Sequence, residues 1–442
     1  MTTFPFPAAQ ALVLALAAAV LRAQDPRETP ERPAHGGHEA RPGAEAPAPA
    51  FRLLDVSLDL LTAVGTSTER DHVLRELKGG GHDPRKRGFS LRNVELSLAG
   101  AVDPYFRAEA HVVTYVDAFD QETVVELEEA FLTTQALPAG LQLEVGQSFT
   151  EFGLHNPRHP HAWSFLDQPV ILSRVFGPDG MRGPGARLSW VLPLPFFAEL
   201  HGGVQNASGE TMASFLASDE FYEERAIGGR SFVARDVRSL ADLVWLGRLR
   251  TSFGLGAETS LTLGASVLFG PNATGPGADT QVFGADFTWH WHGTGGSGGR
   301  PLVTVEGEVV ARRFVAAEQV DVNDPGDPGD DFVVARDTLE DLGAYVQVLW
   351  NFAPRWTAGL RGEWASGAGG SYVAATDRFD RAGDPFRADR VRLSSLLSFE
   401  LTEFSRIRLQ YDFDDSDAHG GDAHSVWLGF DVNLGKHAAH AD

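Results

Sequence analysis

Apolar and polar residues alternate strictly near the C-terminus. Ile407, Leu409, Tyr411 and Phe413, then Val426, Leu428, Phe430, Val432 and Leu434, interleave with Arg408, Gln410, Asp412, Asp431 and Asn433. A period of two puts one set on each face of a β-strand. The same alternation predicts strands near 52–65, 88–101, 105–117, 123–135, 140–149, 184–193, 196–206 and 241–254. It continues near 258–269, 280–292, 301–316, 337–352, 355–366, 389–403, 405–414 and 424–435.

The connectors alternate between short and long. Asp103-Pro104, Leu137 to Ala139, Pro193 to Pro195, Leu255 to Ala257, Ala353-Pro354 and Thr402 to Phe404 are tight turns, whereas 66–87, 150–183, 207–240, 317–336 and 367–388 are long. The Gly-rich connector Gly293 to Gly299 is long for a turn. Bacterial outer-membrane barrels combine short periplasmic turns with long external loops and an even strand number. The pattern therefore predicts an all-β fold: a transmembrane antiparallel β-barrel of about 16 strands. Trp356, Ala358, Leu360 and Trp364 are expected to face lipid, with Arg355, Thr357, Arg361 and Glu363 inward. Arg107, Glu109, His111, Arg390, Arg392 and Arg408 fall on the same inner face, which is expected to be wet and charged, as a channel requires. Trp289, Trp291, Trp350, Phe352 and Trp356 lie near strand ends, where aromatic girdles occur.

The N-terminus carries an address. Ala8 to Leu21 is apolar over about 14 residues, too short to span about 30 Å of hydrocarbon at about 1.5 Å per residue. It reads as the core of a signal peptide, 1–23, with cleavage after Ala23. Residues 24–50 are Pro-rich, without periodicity or apolar mass, and are expected to form a disordered periplasmic leader before a barrel over 51–442. There is no cysteine, so no disulfide framework is used. The formal charge of −23 argues against nucleic-acid binding.

A sixteen-strand barrel leaves an aqueous bore unless something fills it. Loop 150–183 is the expected constriction, through Glu151, His155, Asn156, His159, His161, Asp167, Arg174 and Asp179, with its apolar residues anchoring it to the wall. His155, His159 and His161, with Glu151 or Asp167, offer donors for zinc. Pro157 and Pro160 deny them a shared helical face, so imidazoles that merely hold turns are the favoured reading. His290 with His292, His437 with His440, and the acidic run Asp321, Asp324, Asp327, Asp330 and Asp331 are weaker metal candidates. No spacing identifies a nucleophile with its base, and no phosphate-loop motif is present, so neither an enzyme nor a nucleotide-driven pump is expected.

Glu128-Glu129-Ala130-Phe131, Leu137 to Leu141, the Glu151 to His161 run, Phe165 to Pro169 and Leu434 to His440 resemble the zinc-regulated outer-membrane porin-like proteins, often labelled TonB-dependent receptors. The resemblance implies an outer-membrane pore connected to metal supply. A TonB-dependent transporter has a plugged barrel of 22 strands, and the short stretch before the first predicted strand leaves no room for a separate plug domain. The chain also ends in Ala441-Asp442 instead of the terminal aromatic that porins use in assembly. The expected function is passive diffusion of small hydrophilic solutes or ions, with no resident cofactor unless zinc binds. Expected partners are outer-membrane lipid, lipopolysaccharide and two further copies in a homotrimer. The alternative is a closed, non-conducting barrel that binds a metal complex or surface ligand.

Overall fold

The computed structural model describes residues 54–293, 301–321, 329, 331–380 and 383–435. Sixteen strands pair in sequence order and close into one antiparallel barrel. They run Asp55–Ser67, Gly88–Ala101, Phe106–Val116, Thr123–Thr134, Leu141–Phe149, Arg182–Val191, Phe197–Asn206 and Leu243–Gly254. The second half runs Thr259–Pro271, Asp279–Trp291, Val303–Ala316, Asp337–Ala353, Trp356–Ala368, Arg390–Thr402, Ser405–Ser416 and Ala423–Gly435. Each lies within a few residues of a segment that periodicity predicts. The last strand returns to the first in continuous register, from Leu58 opposite Leu434 to Ser67 opposite Ser425, leaving no open edge. The signal peptide, the leader, the connector beyond Gly293, Asp324, Asp327, Asp330, His437 and His440 lie outside the described residues.

The two faces of the wall separate as the alternation requires. Leu360, Leu393 and Leu428 are exposed on the outside, the side that hydrocarbon would cover. Trp350, Phe352, Trp356 and Phe399 form a chain of ring contacts at 5.5, 6.3 and 4.5 Å around one short turn. These amphipathic rings suit the membrane–water boundary. Arg361, Glu363, Arg390, Arg392 and Arg408 point inward and are buried. Arg107 and Glu109 share a face with buried His111 and pair with each other at 2.9 Å, partly exposed. Arg355 is a correction: it sits in the turn with φ 70° and is exposed, because the strand begins one residue later.

The expectation of a wet interior is overturned where inserted segments occupy the lumen, whereas Arg107 and Glu109 on the same inner face stay partly exposed. Segment 150–181, with the helix Val170–Phe176, and residues 211–230, with the helix Asp219–Arg225, fold inward, whereas 231–241 is largely exposed. Phe152, Val170, Ile171, Leu172, Val175 and Phe176 join Met212, Phe215 and Leu216 and the wall residues Val282, Val310 and Tyr345 in one buried cluster. Burying each such side chain contributes about 1.5–3 kcal/mol before ordering costs are subtracted. The wall makes room by omitting side chains. A Cβ on Gly429 would stand 2.4 Å from Leu166 Cδ2, and one on Gly343 would stand 2.8 Å from Ile171 Cβ. Periodicity assigns the inner face of a strand but does not reveal what occupies the space before it.

Because Leu360 is among the most exposed apolar residues of the wall, Leu360→Arg is expected to destabilise the membrane-inserted barrel by about 2–4 kcal/mol at midplane depth. Urea unfolding in lipid vesicles measures this, and a variant as stable as the parent would show that this face does not meet lipid.

Candidate functional site

The plug is seated on Asp167. Pro169 opens the helix Val170–Phe176 and Gly177, at φ 82°, ends it, so the preceding Phe165-Leu166-Asp167 run is delivered extended to the wall. All seven residues of that helix are buried. The Asp167 carboxylate accepts from Lys78 Nζ at 2.5 Å, Arg361 Nη2 at 2.5 Å, Arg392 Nη1 at 3.0 Å and Gln410 Nε2 at 2.9 Å. Burial pushes its pKa up, but Lys78, Arg361 and Arg392 outweigh burial and hold it well below the usual carboxylate range. Lys78 reaches in from the segment after the helix Asp71–Leu77 and also donates to Asp412 at 2.6 Å. Burial and Arg392 disfavour its charge, yet Asp167 and Asp412 raise its pKa overall. Further ion pairs fasten the same segment: Arg158 to Glu306 at 2.9 Å, and Arg174 beside Asp341 at 3.8 Å.

The eight residues expected at a constriction are wall anchors and loop ties, dispersed through the plug. Glu151 pairs with Arg187 on the wall. Asn156 donates to Thr150 O at 2.7 Å and Met181 O at 3.0 Å and accepts from Met181 N at 2.8 Å, closing the neck of the loop. Arg174 Nη2 donates to Ala388 O at 2.6 Å. Asp179 lies 3.9 Å from His82 Nε2. His155 stands apart from the other two histidines of the expected zinc set. Its ring packs on Trp163 at 4.7 Å, and its backbone N–H donates to Glu308 at 2.8 Å. Burial, followed by Arg158 and Arg361, keeps its imidazole neutral. Around His155, Asn156, Arg158 and Phe176 the residual cavity is about 10 Å³, space for about one water molecule.

His159 and His161 meet carboxylates that the sequence reading did not assign to a site. His159 Nδ1 lies 2.8 Å from Glu128 Oε2 and 3.3 Å from Glu95 Oε1, and its Nε2 lies 2.8 Å from Glu129 Oε2. His161 Nδ1 lies 3.0 Å from Glu95 Oε2, and His111 Nδ1 lies 3.1 Å from Glu95 Oε1. Burial disfavours charge on His159, but Glu95 and Glu128 lead a set of contacts that raise its pKa well above the ordinary imidazole value. The wall supplies these groups through its register. His111 opposes Ser97 on one side and Glu129 on the other, and a bulge between His111 and Val112 leaves Glu128 as the extra residue. Consecutive Glu128 and Glu129 are therefore both buried. The signal open to sequence was an inward-facing Glu or His on each of three successive strands, with an acidic pair breaking the alternation on the third.

No family model matches this chain. It is 29% identical over 403 residues to an uncharacterized protein of Aquifex aeolicus (strain VF5), covering 84% of this chain and 76% of that protein. Among solved structures it is similar to the outer membrane channel DcaP of Acinetobacter baumannii, with TM-score 0.51 and 11% identity over 86% of this chain and 97% of that one. It is also similar to an anion-selective porin from Comamonas acidovorans, with TM-score 0.51 and 9% identity over 86% and 99%. At these identities the likeness is one of fold, and the chain has the sixteen-stranded barrel fold of outer-membrane porins.

Proposed function

We propose that this protein is an outer-membrane channel for passive diffusion of small hydrophilic solutes or ions, in which the segment 150–181 is a displaceable plug. One observation carries the reading. Beside the apolar patch at Val282, Val310 and Tyr345, the wall behind the inserted segments presents Glu306, Arg312, Asp341, Arg361, Arg392 and Arg408, charges that a permanently packed core would not use. Charged groups hydrate when a covering segment moves away, whereas an apolar bore dewets and stays closed. Buried ion pairs also contribute little net stability compared with apolar packing of the same volume. The ion pairs therefore fix the seat of the plug without themselves supplying a large surplus of free energy. No nucleotide motif is present in the sequence, so the solute gradient supplies the driving force. Contacts with lipopolysaccharide through the external loops and assembly as a homotrimer belong to the same proposal.

The filled lumen supports a second reading, a closed barrel that binds a metal complex or surface ligand. Conductance separates the two. In planar bilayers with asymmetric KCl, discrete openings with a defined reversal potential are expected. Deleting 156–175 is expected to raise the conductance, because it removes Asp167 and most of the plug helix. A silent barrel, or a deletion variant with unchanged conductance, refutes the displaceable plug.

Acid provides a separate lever. A carboxyl held below its unfolded value, about 3.9 for Asp, stabilises the folded state above that value, and the contribution is lost as pH falls through the depressed value. Open probability is therefore expected to start rising below about pH 4, where an unseated carboxyl protonates, and to keep rising toward the depressed value of seated Asp167. Asp167→Asn is expected to open the channel at neutral pH, since removing one partner of a buried pair costs about 3–5 kcal/mol. That variant should also lose its share of the acid response, and bilayer recordings from pH 7 to pH 3 measure both effects.

A further inference from the structure

We propose that Glu95, Glu128, His159 and His161 hold one divalent transition-metal ion that clips the plug to the barrel wall. The observations are local and hold whether or not the barrel conducts. Glu95 and Glu128 stand on the second and fourth strands, while His159 and His161 stand on the plug, so a shared ion would tie the plug to the wall.

The donor geometry fits. An ion bound tetrahedrally at about 2.0–2.2 Å separates its ligand atoms by roughly 3.3–3.6 Å. Glu95 offers Oε1 at 3.3 Å from His159 Nδ1 and Oε2 at 3.0 Å from His161 Nδ1, and Glu128 Oε2 lies 2.8 Å from the same His159 nitrogen. Ligand atoms of Glu95, His159 and His161 all fall within 4.8 Å of one another. The present contacts are those of hydrogen-bonded pairs, so the side chains must spread to admit the ion, with Glu128 completing the shell from its contact with His159. Two imidazole nitrogens with two carboxylates suit zinc, cobalt or nickel better than magnesium or calcium, which favour all-oxygen shells.

The surroundings supply what such a site needs. With Nδ1 on the metal, His159 Nε2–H donates to Glu129 at 2.8 Å, the carboxylate contact that fixes the tautomer and orientation of ligating histidines. Three carboxylates, Glu95, Glu128 and Glu129, are almost completely buried around these rings, and a doubly charged ion would offset two of their three charges. His161 is the most accessible of the four ligands, with 12% of its side chain exposed, and marks the entry side. The proline-interrupted loop does not prevent the site, because the wall supplies the two oxygen donors that the loop lacks.

The test uses the full chain, folded and purified in detergent after chelator treatment, with Zn²⁺ as the probe. Titration calorimetry and elemental analysis after dialysis are expected to give about one retained ion per chain, undisturbed by millimolar Mg²⁺. His159→Gln and His161→Gln are expected to abolish retention, and Glu129→Gln to weaken affinity about 10–100-fold through the lost orienting contact. His155→Gln is expected to leave binding unchanged. Co²⁺ substitution should give the absorption of a four-coordinate nitrogen–oxygen site, and Zn²⁺ should slow hydrogen exchange across 156–168. Where a variant fails to fold, judged by its heat-modified gel mobility, the Co²⁺ spectrum and exchange of the parent protein decide the matter. Zn²⁺ retained equally by His159→Gln and His161→Gln, displaced by Mg²⁺, or without effect on exchange in the plug overturns the site.

Discussion

A carboxylate cannot be taken out of water unless cations or hydrogen-bond donors replace its hydration, and the arrangement of this lumen follows from that constraint. Asp167 is completely buried, and its partners come from the helix-bearing segment after the first strand and from three strands of the opposite part of the chain. Meeting them dictates where the loop must travel. The apolar residues on either side of Asp167 are then placed against wall positions left open by glycine, as Leu166 is at Gly429. Charge complementarity sets the register of the plug, and close packing fills the remaining space.

The same logic gives the wall two characters. On its outer side every second residue meets hydrocarbon and must be apolar; on its inner side every second residue must satisfy whatever the plug brings. Arg312 illustrates the inner requirement. It donates to Asp341 on the neighbouring strand and to Ser214 Oγ on the second inserted segment, so one guanidinium joins wall to plug. A wall built in this way closes around a plug, and the proposed channel would need the same charges to hydrate once the plug moves.

The barrel was almost wholly legible in the sequence. Strand positions, their number and the inner or outer sense of residues such as Leu360 and Arg361 follow from a period of two, a local property of each segment. The filling of the lumen was not legible, because burial of Arg392 or Arg408 depends on a segment more than two hundred residues distant. The histidine site divides in the same way. The sequence placed His159 and His161 in one loop and joined His155 to them, but Glu95, Glu128 and Glu129 come from strands earlier in the chain. The bulge that turns Glu128 inward is a break in alternation, and a single acidic pair gives little indication of one.

The origin of the groups around Asp167 has a consequence for how the molecule is built. Lys78, Arg361, Arg392 and Gln410 are separated from it by 89, 194, 225 and 243 residues. The seat for the plug therefore needs the segment after the first strand and the strands Trp356–Ala368, Arg390–Thr402 and Ser405–Ser416 in one place. Contacts this distant form late, because chain closure costs entropy before they return any stabilisation. The full set of donors to Asp167 is consequently assembled only when strands from both ends of the chain have come together, and the plug carboxylate cannot be fully paired before then.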